Sequence, residues 1–264
     1  MKPNYKNWVP NGMIAGFAAG TAVLAAANAA AWTLLDEDLP ESVKLGIRCA
    51  AGVSLAGCGA ATVWLTFLHN SFSYHGKRQL SKQIIEGTAD YVSIPDGGTG
   101  LDVGCGSGAL TIACARRNPH ATMIGVDRWG KEYASFSQKL CEKNAKAEHV
   151  ENVSFQKGDA VHLDFPDEAF DAVTSNYVYH NISGKNKQEL LRETLRVLKK
   201  GGTFAIHDIM SKARYGDMKQ FVEELKEEGY EEVRLIPTDH GVFMGQDEAI
   251  VMALNGSSLL VGKK

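Results

Sequence analysis

LDVGCGSG, Leu101 to Gly108, is the strongest local signal in the chain. A short apolar run enters a turn with glycine at Gly104, Gly106 and Gly108, and the residues from Gly108 to Arg117 then read as a helix. Glycine lets a backbone approach a ligand closely, and a helix N-terminus offers unpaired N–H groups carrying partial positive charge. The loop alone leaves two ligand classes open, because Gly104-x-Gly106-x-x-Ala109 also satisfies the dinucleotide fingerprint.

Working outward, strand and helix signals alternate with turns between them. Upstream, Lys77 to Val92 reads as an amphipathic helix ended by Pro95-Asp96-Gly97-Gly98. Downstream strands are expected at 122–126, 153–157, 172–175, 203–209, 232–237 and 258–262. Helices are expected at 133–145, 187–198, 215–228 and 247–254, with Gly201-Gly202 terminating the one at 187–198. Alternation of this size implies a parallel sheet with helices on both faces.

Acidic residues at the strand ends narrow the ligand. Asp102 lies two residues before the first glycine, where a carboxylate would repel a pyrophosphate but hold the ammonium of a methionine moiety. Asp127 ends the strand TMIGVD, 19 residues beyond Gly108, where a carboxylate accepts both hydroxyls of a ribose. Asp159, in QKGDA, closes the next strand and suits an adenine amine, with the Ala160 N–H aimed at the ring. Asn176 ends the fourth strand within FDAVTSNYVYHNI. Cys105 in the loop and Arg128 beside Asp127 complete the candidate cofactor-binding set.

These blocks, in this order and spacing, resemble class I S-adenosylmethionine-dependent methyltransferases, in the flavour of the small-molecule, quinone and sterol methylases. The match covers roughly Gly98 to Ile209. The resemblance implies an α/β, doubly wound, mostly parallel seven-stranded sheet of Rossmann-like methyltransferase type. It implies S-adenosyl-L-methionine as cofactor, with Gly104, Gly106 and Gly108 along its methionine part, Asp102 near its amino group, Asp127 at its ribose and Asp159 at its adenine. Asn176 falls beside the reactive methyl, and Trp129 either covers an adenine face or packs on the following helix. His180 aligns with a histidine common in relatives, as a packing or hydrogen-bonding residue or as a weak candidate for a general base. Tyr74, Tyr177 and Tyr179 are candidates for the acceptor pocket or for core packing. A cofactor-binding protein without transferase activity and a dinucleotide-dependent oxidoreductase are the competing classes.

Composition sets the remaining bounds. The net charge is -3, and residues 1–69 hold four side chains of each sign, so no electropositive track for nucleic acid is expected. The five cysteines show no C-x-x-C spacing, and no metal-ligand constellation stands out.

Between Asn7 and Asn70 the only charges lie from Asp36 to Arg48. On either side run the apolar stretches Met13 to Leu35 and Cys49 to Leu68, long enough as helices to cross a bilayer core. Two transmembrane α-helices at about 13–35 and 47–69 therefore form a membrane hairpin over residues 1–70, ahead of a methyltransferase domain at 74–264. A buried Ala/Gly-rich helix pair and a secretory signal are the alternative readings. Gly16 and Gly20, facing Gly52, Ala56 and Ala60, are the expected small-residue ridges between the helices. Lys2 and Lys6 on one flank and Lys77, Arg78 and Lys82 on the other place both termini and the catalytic domain in the cytoplasm. The expected acceptor is a small or lipid molecule at the membrane, and the hairpin offers a route to a homo-oligomer.

Overall fold

In the computed structural model, residues 2–130 and 135–264 are described. The chain divides into two compact units: Asn7–Gln79, and the residues up to Lys6 together with Leu80–Lys264.

The first unit is a pair of helices, α1 (Asn11–Thr33) and α2 (Glu41–Phe72). Both are long and apolar enough to cross a membrane. At about 1.5 Å per residue, the 23 residues of α1 extend roughly 34 Å. Small residues meet at their contact: a methyl group on Gly20 would lie 3.4 Å from Cys58 Sγ, and one on Gly59 would lie 3.8 Å from Thr21. Gly16 does not share this interface as its spacing predicts, since nothing described lies within 4 Å of its Cβ position. Polar bonding supplements the packing, with Thr21 Oγ1 3.1 Å from Thr62 Oγ1. Arg48 closes the turn by donating to the Ala31 carbonyl at 3.1 Å while its guanidinium lies 4.5 Å above the Trp32 ring.

The second unit is built on a seven-stranded sheet. Its strands are β1 (Thr99–Val103), β2 (Thr122–Asp127), β3 (Val153–Lys157), β4 (Phe170–Asn176), β5 (Leu198–Ile209), β6 (Glu231–Pro237) and β7 (Ser257–Lys263). The order is β3-β2-β1-β4-β5-β7-β6, with β7 antiparallel to both neighbours and the other pairings parallel. Helices α3 (Leu80–Ala89), α4 (Ala109–Arg117), α5 (Gln138–Ala147), α6 (Lys187–Arg196), α7 (Lys212–Tyr215), α8 (Met218–Glu227) and α9 (Gln246–Val251) complete it. Central strands carry apolar residues on both faces because both are covered: Leu101, Val173, Phe204 and Ile206 on one face, and Met123, Ala172, Ala205 and Leu259 on the other, are all fully buried.

Three sequence expectations need correcting. The helix expected to run to Leu198 stops at Arg196, and Leu198 already pairs with Phe170 in the sheet. Gly201-Gly202 is therefore a bend inside β5 and not a helix stop: a Cβ on Gly202 would sit 2.6 Å from Leu198 Cδ1. The helix expected from Tyr215 is two helices, broken at Gly216 with φ 74°, after which Asp217 caps α8 by accepting from the Lys219 and Gln220 N–H groups. The helix expected from Tyr133 begins at Gln138 among the described residues, its predicted start lying outside them.

Strand order places the site. It reverses between β1 and β4, neighbours whose outgoing connections lead to opposite sides of the sheet. In an open α/β sheet, the crevice at the carboxyl ends of such a strand pair is where ligands bind. The Gly-rich loop follows β1 and the Asn176–His180 segment follows β4, so both lie there.

Candidate active site

The loop after β1 is shaped by three left-handed glycines, with φ 73° at Gly104, 55° at Gly106 and 81° at Gly108. Gly104 is required twice over, since a Cβ there would also lie 2.3 Å from Val178 on the segment after β4. At Gly106 the Cβ position meets nothing described within 4 Å, so this part of the loop faces open space. The loop is pinned from below, where the Gly104 and Cys105 N–H groups both donate to the Val126 carbonyl at 2.8 and 3.0 Å. Gly108 opens α4 without any side-chain cap.

Asp127 organises this loop from the end of β2. One carboxylate oxygen accepts the Gly106 N–H at 2.9 Å, and the other accepts the Trp129 N–H at 2.7 Å. Each oxygen retains a lone pair, so the carboxylate can still take two ligand hydroxyls. Trp129, at φ 42°, returns its indole Nε1–H to the Gly106 carbonyl at 3.0 Å. Trp129 is thus tied to the glycine loop, whose Gly106 carbonyl also accepts from the Cys141 thiol of α5 at 3.3 Å. Arg128 is exposed beside it.

Asp102, near the end of β1, is buried. It is 1% exposed, and its oxygens accept from Thr111 Oγ1 at 2.6 Å and Thr174 Oγ1 at 2.9 Å. Burial pushes its carboxyl up to about 7, against the pull of those two hydroxyls. It therefore lies beneath the loop with both oxygens engaged by threonine hydroxyls. Cys105 is buried as well, its thiol held well above its ordinary value by burial and by the neighbouring Cys141.

The ends of β3 and β4 supply the other predicted residues. Asp159 is exposed and tightens its own turn, accepting from the Val161 N–H at 2.9 Å, with Ala160 half-buried beside it. Asn176 Oδ1 pairs with His207 Nδ1 at 2.9 Å, and His207 Nε2 meets Thr238 Oγ1 at 2.8 Å. Burial drives His207 down to about 3, so its ring is neutral, donating from Nδ1 and accepting at Nε2. Tyr177 adopts φ 55°, bonds Ser257 through its hydroxyl at 2.8 Å and sets its ring edge-on to His207 and His180. Tyr179 is a core residue with no exposure, its hydroxyl 2.6 Å from Thr194 Oγ1. Tyr74 belongs to the helix-pair unit and contacts His75 there.

His180 stands in a single 3-10 turn, Tyr179–Asn181, directly after β4. Its Nδ1 lies 2.5 Å from Oδ1 of Asp208, a residue with no exposed surface. Asp208 also accepts the backbone N–H groups of Tyr179, His180 and Ile209 at 2.8, 3.2 and 2.7 Å. Burial would raise the Asp208 carboxyl, but the His180 contact and the Ile209 N–H hold it below the ordinary carboxylate value. Sequence reasoning missed Asp208, although HDI at the end of the fifth strand was its available signal. It also missed Asn144, which is 2% exposed. Asn144 clamps Asn4 through 2.7 and 3.1 Å bonds and donates to the Ser107 carbonyl of the glycine loop at 2.9 Å.

Known proteins agree with this geometry. The family described as a methyltransferase domain matches residues 94–249, more than half of the chain. A demethylmenaquinone methyltransferase of Lactobacillus johnsonii is 32% identical over 120 residues, covering 44% of this chain and 45% of that protein. An arsenite methyltransferase of Halobacterium salinarum is 30% identical over 168 residues, covering 56% and 41%. The chain thus spans less than half the length of these relatives. A geranyl diphosphate methyltransferase, solved with GPP and sinefungin, shares the fold at a TM-score of 0.54 and 13% identity, covering 72% of this chain and 80% of that one. With its strand order, its glycine loop and the family match over residues 94–249, the chain belongs to the class I S-adenosylmethionine-dependent methyltransferase family, and S-adenosylmethionine is its cofactor.

Proposed function

We propose that this chain transfers a methyl group from S-adenosylmethionine to a small, apolar, quinone-like acceptor, working at the cytoplasmic face of a membrane that its helix pair spans. The observation that carries the reading is Asp127, tied to the Gly106 N–H at the mouth of the glycine loop with lone pairs to spare for ribose hydroxyls. The bound cofactor supplies the reactive sulfonium methyl; the protein's part is to position the partners and exclude water. Asp102, beneath the loop, favours the cofactor's cationic portion over a pyrophosphate.

The acceptor class is supported by relatives named as demethylmenaquinone and 2-phytyl-1,4-naphtoquinone methyltransferases, and by the two membrane-length helices. The basic flanks Lys2, Lys6, Lys77, Arg78 and Lys82 support the orientation. The dinucleotide alternative is disfavoured because β7 runs antiparallel between β5 and β6, where the 3-2-1-4-5-6 dinucleotide sheet has no such strand. Incubating the purified chain with membrane extract and methyl-labelled cofactor tests the reading. Label is expected in an apolar ring-bearing small molecule. Cofactor binding with no labelled product would leave a binding protein without transferase activity, and label in protein or nucleic acid would overturn the acceptor class.

A further inference from the structure

We infer that Asn176 selects the methyl acceptor by donating its amide N–H groups to an oxygen of that molecule, and that buried His207 and Thr238 are the positioning residues that hold the amide this way round. This deepens the methyltransferase reading and rests on it.

A buried chain of hydrogen bonds ends at Asn176. Thr238 Oγ1 lies 2.8 Å from His207 Nε2, and His207 Nδ1 lies 2.9 Å from Asn176 Oδ1. Thr238 and His207 have no exposed surface, whereas Asn176 is half-buried at the carboxyl end of β4. Donor accounting sets the direction of the chain. The Thr238 hydroxyl has one described partner, His207 Nε2, so its proton is satisfied by donation to that nitrogen. The opposite sense would bury a hydroxyl proton without an acceptor, which is unfavourable. Burial also keeps the ring neutral, driving His207 down to about 3. Its one proton therefore sits on Nδ1 and is donated to Asn176 Oδ1. Oδ1 is thus turned into the core, and Nδ2, with two protons, is turned away from it.

No described residue accepts those two protons. The only fully buried side-chain polar atoms left unpaired among the described residues are Thr88 Oγ1 and the Tyr215 hydroxyl, so Nδ2 is not sealed inside the core. The His207 ring that fixes the amide is itself held on two sides. Tyr177 stands edge-on to it at 4.7 Å and Phe243 at 5.4 Å, and Phe243 fills the space that a side chain at Gly87 would need.

Placement makes the methyl acceptor the ligand. Asp127 and the glycine loop stand at the ends of β2 and β1, while Asn176 and His207 pair across β4 and β5, beyond the point where strand order reverses. Val178, two residues after Asn176, occupies the space a side chain at Gly104 would need, so this segment borders the glycine loop. An amide presenting only N–H binds an oxygen with a free lone pair. It disfavours an aromatic amine, whose nitrogen pair is drawn into the ring and whose protons would meet its own.

The test uses the full chain in detergent, loaded with S-adenosylhomocysteine, and two probes of one shape: 1,4-dihydroxynaphthalene and 1,4-diaminonaphthalene, under anaerobic conditions. The readout is the ratio of their dissociation constants on one preparation, so that any unfolded fraction cancels. The wild type should favour the dihydroxy probe by about tenfold or more. Asn176→Ala should abolish the preference, and Asn176→Asp, which puts an acceptor where the N–H groups stand, should reverse it. Thr238→Val should lose most of the preference and Thr238→Ser should keep it. Nuclear magnetic resonance with nitrogen-labelled histidine gives a second readout, independent of the probes. The wild type should show His207 protonated at Nδ1, and Thr238→Val should lose that single tautomer. Equal affinity of the wild type for the two probes, including binding of neither, overturns the assignment while leaving methyl transfer intact. So does a preference that survives Asn176→Asp, or a His207 protonated at Nε2. Weaker S-adenosylhomocysteine binding in Asn176→Ala with the probe preference unchanged would assign the amide to the cofactor, and overturns it too. A wild type that binds cofactor but labels nothing in membrane extract overturns the methyltransferase reading itself, and this assignment with it.

Discussion

Asp102 shows how burial converts one carboxylate into a pH-sensitive element. Burial lifts its carboxyl from 3.8 to about 7. Between those values the folded chain holds a proton that the unfolded chain has released, so stability falls as pH rises across that window. The shift is worth at most about 4 kcal/mol at roughly 1.36 kcal/mol per unit. Asp102→Asn should remove the fall: melting followed from pH 4.5 to 7.5 should show the variant gaining on the wild type as pH increases. A constant difference across the range would mean the buried carboxyl keeps an ordinary value. At Gly104, an added methyl meets Val178 at 2.3 Å on a backbone with φ 73°. Gly104→Ala is therefore expected to lose on the order of 2–4 kcal/mol in urea unfolding, from left-handed strain and overpacking together. The glycines and Asp127 were legible in the sequence because a turn and a strand end fix their positions locally. The burial of Asp102 was not, because its partners Thr111 and Thr174 lie 9 and 72 residues away.

At the scale of elements, the alternation of strands and helices was readable because each has its own hydrophobic period. The misread ends share a cause. Leu198 to Gly202 carries helix-stop chemistry, yet pairing of Leu198 with Phe170 draws the segment into β5. Local signals yield there to a partner that no local pattern reveals. The arm before α1 is a similar case. The sequence groups it with the apolar hairpin, whereas residues up to Lys6 belong to the methyltransferase unit, where Asn144 ties Asn4 to the glycine loop. Asn144→Ala leaves the Ser107 carbonyl and the Asn4 backbone without this partner, a cost of about 1–3 kcal/mol for buried groups. Hydrogen exchange over residues 104–108 should quicken in that variant; unchanged protection would show that the arm does not brace the loop.

Across the whole molecule, two chemistries meet in one chain: a helix pair with Val23, Val53 and Val63 mostly exposed, and a sheet unit whose site is polar and acidic. These exposed valines support the proposal that the helix pair spans a membrane. On the proposed spanning reading, the chain should stay in the membrane pellet after alkaline carbonate extraction, and a label in the Asp36–Leu39 turn should react from the extracytoplasmic side. Release into the supernatant would contradict the spanning reading.

The central claim is that the glycine loop and Asp127 hold the S-adenosyl group. Titration calorimetry of S-adenosylhomocysteine into the wild type and Asp127→Asn measures it directly. Saturable one-to-one binding is expected for the wild type, with affinity at least about tenfold weaker in the variant, the loss expected for charge-assisted bonds to ribose hydroxyls. Equal affinity in the two proteins, or no binding by the wild type, would contradict it.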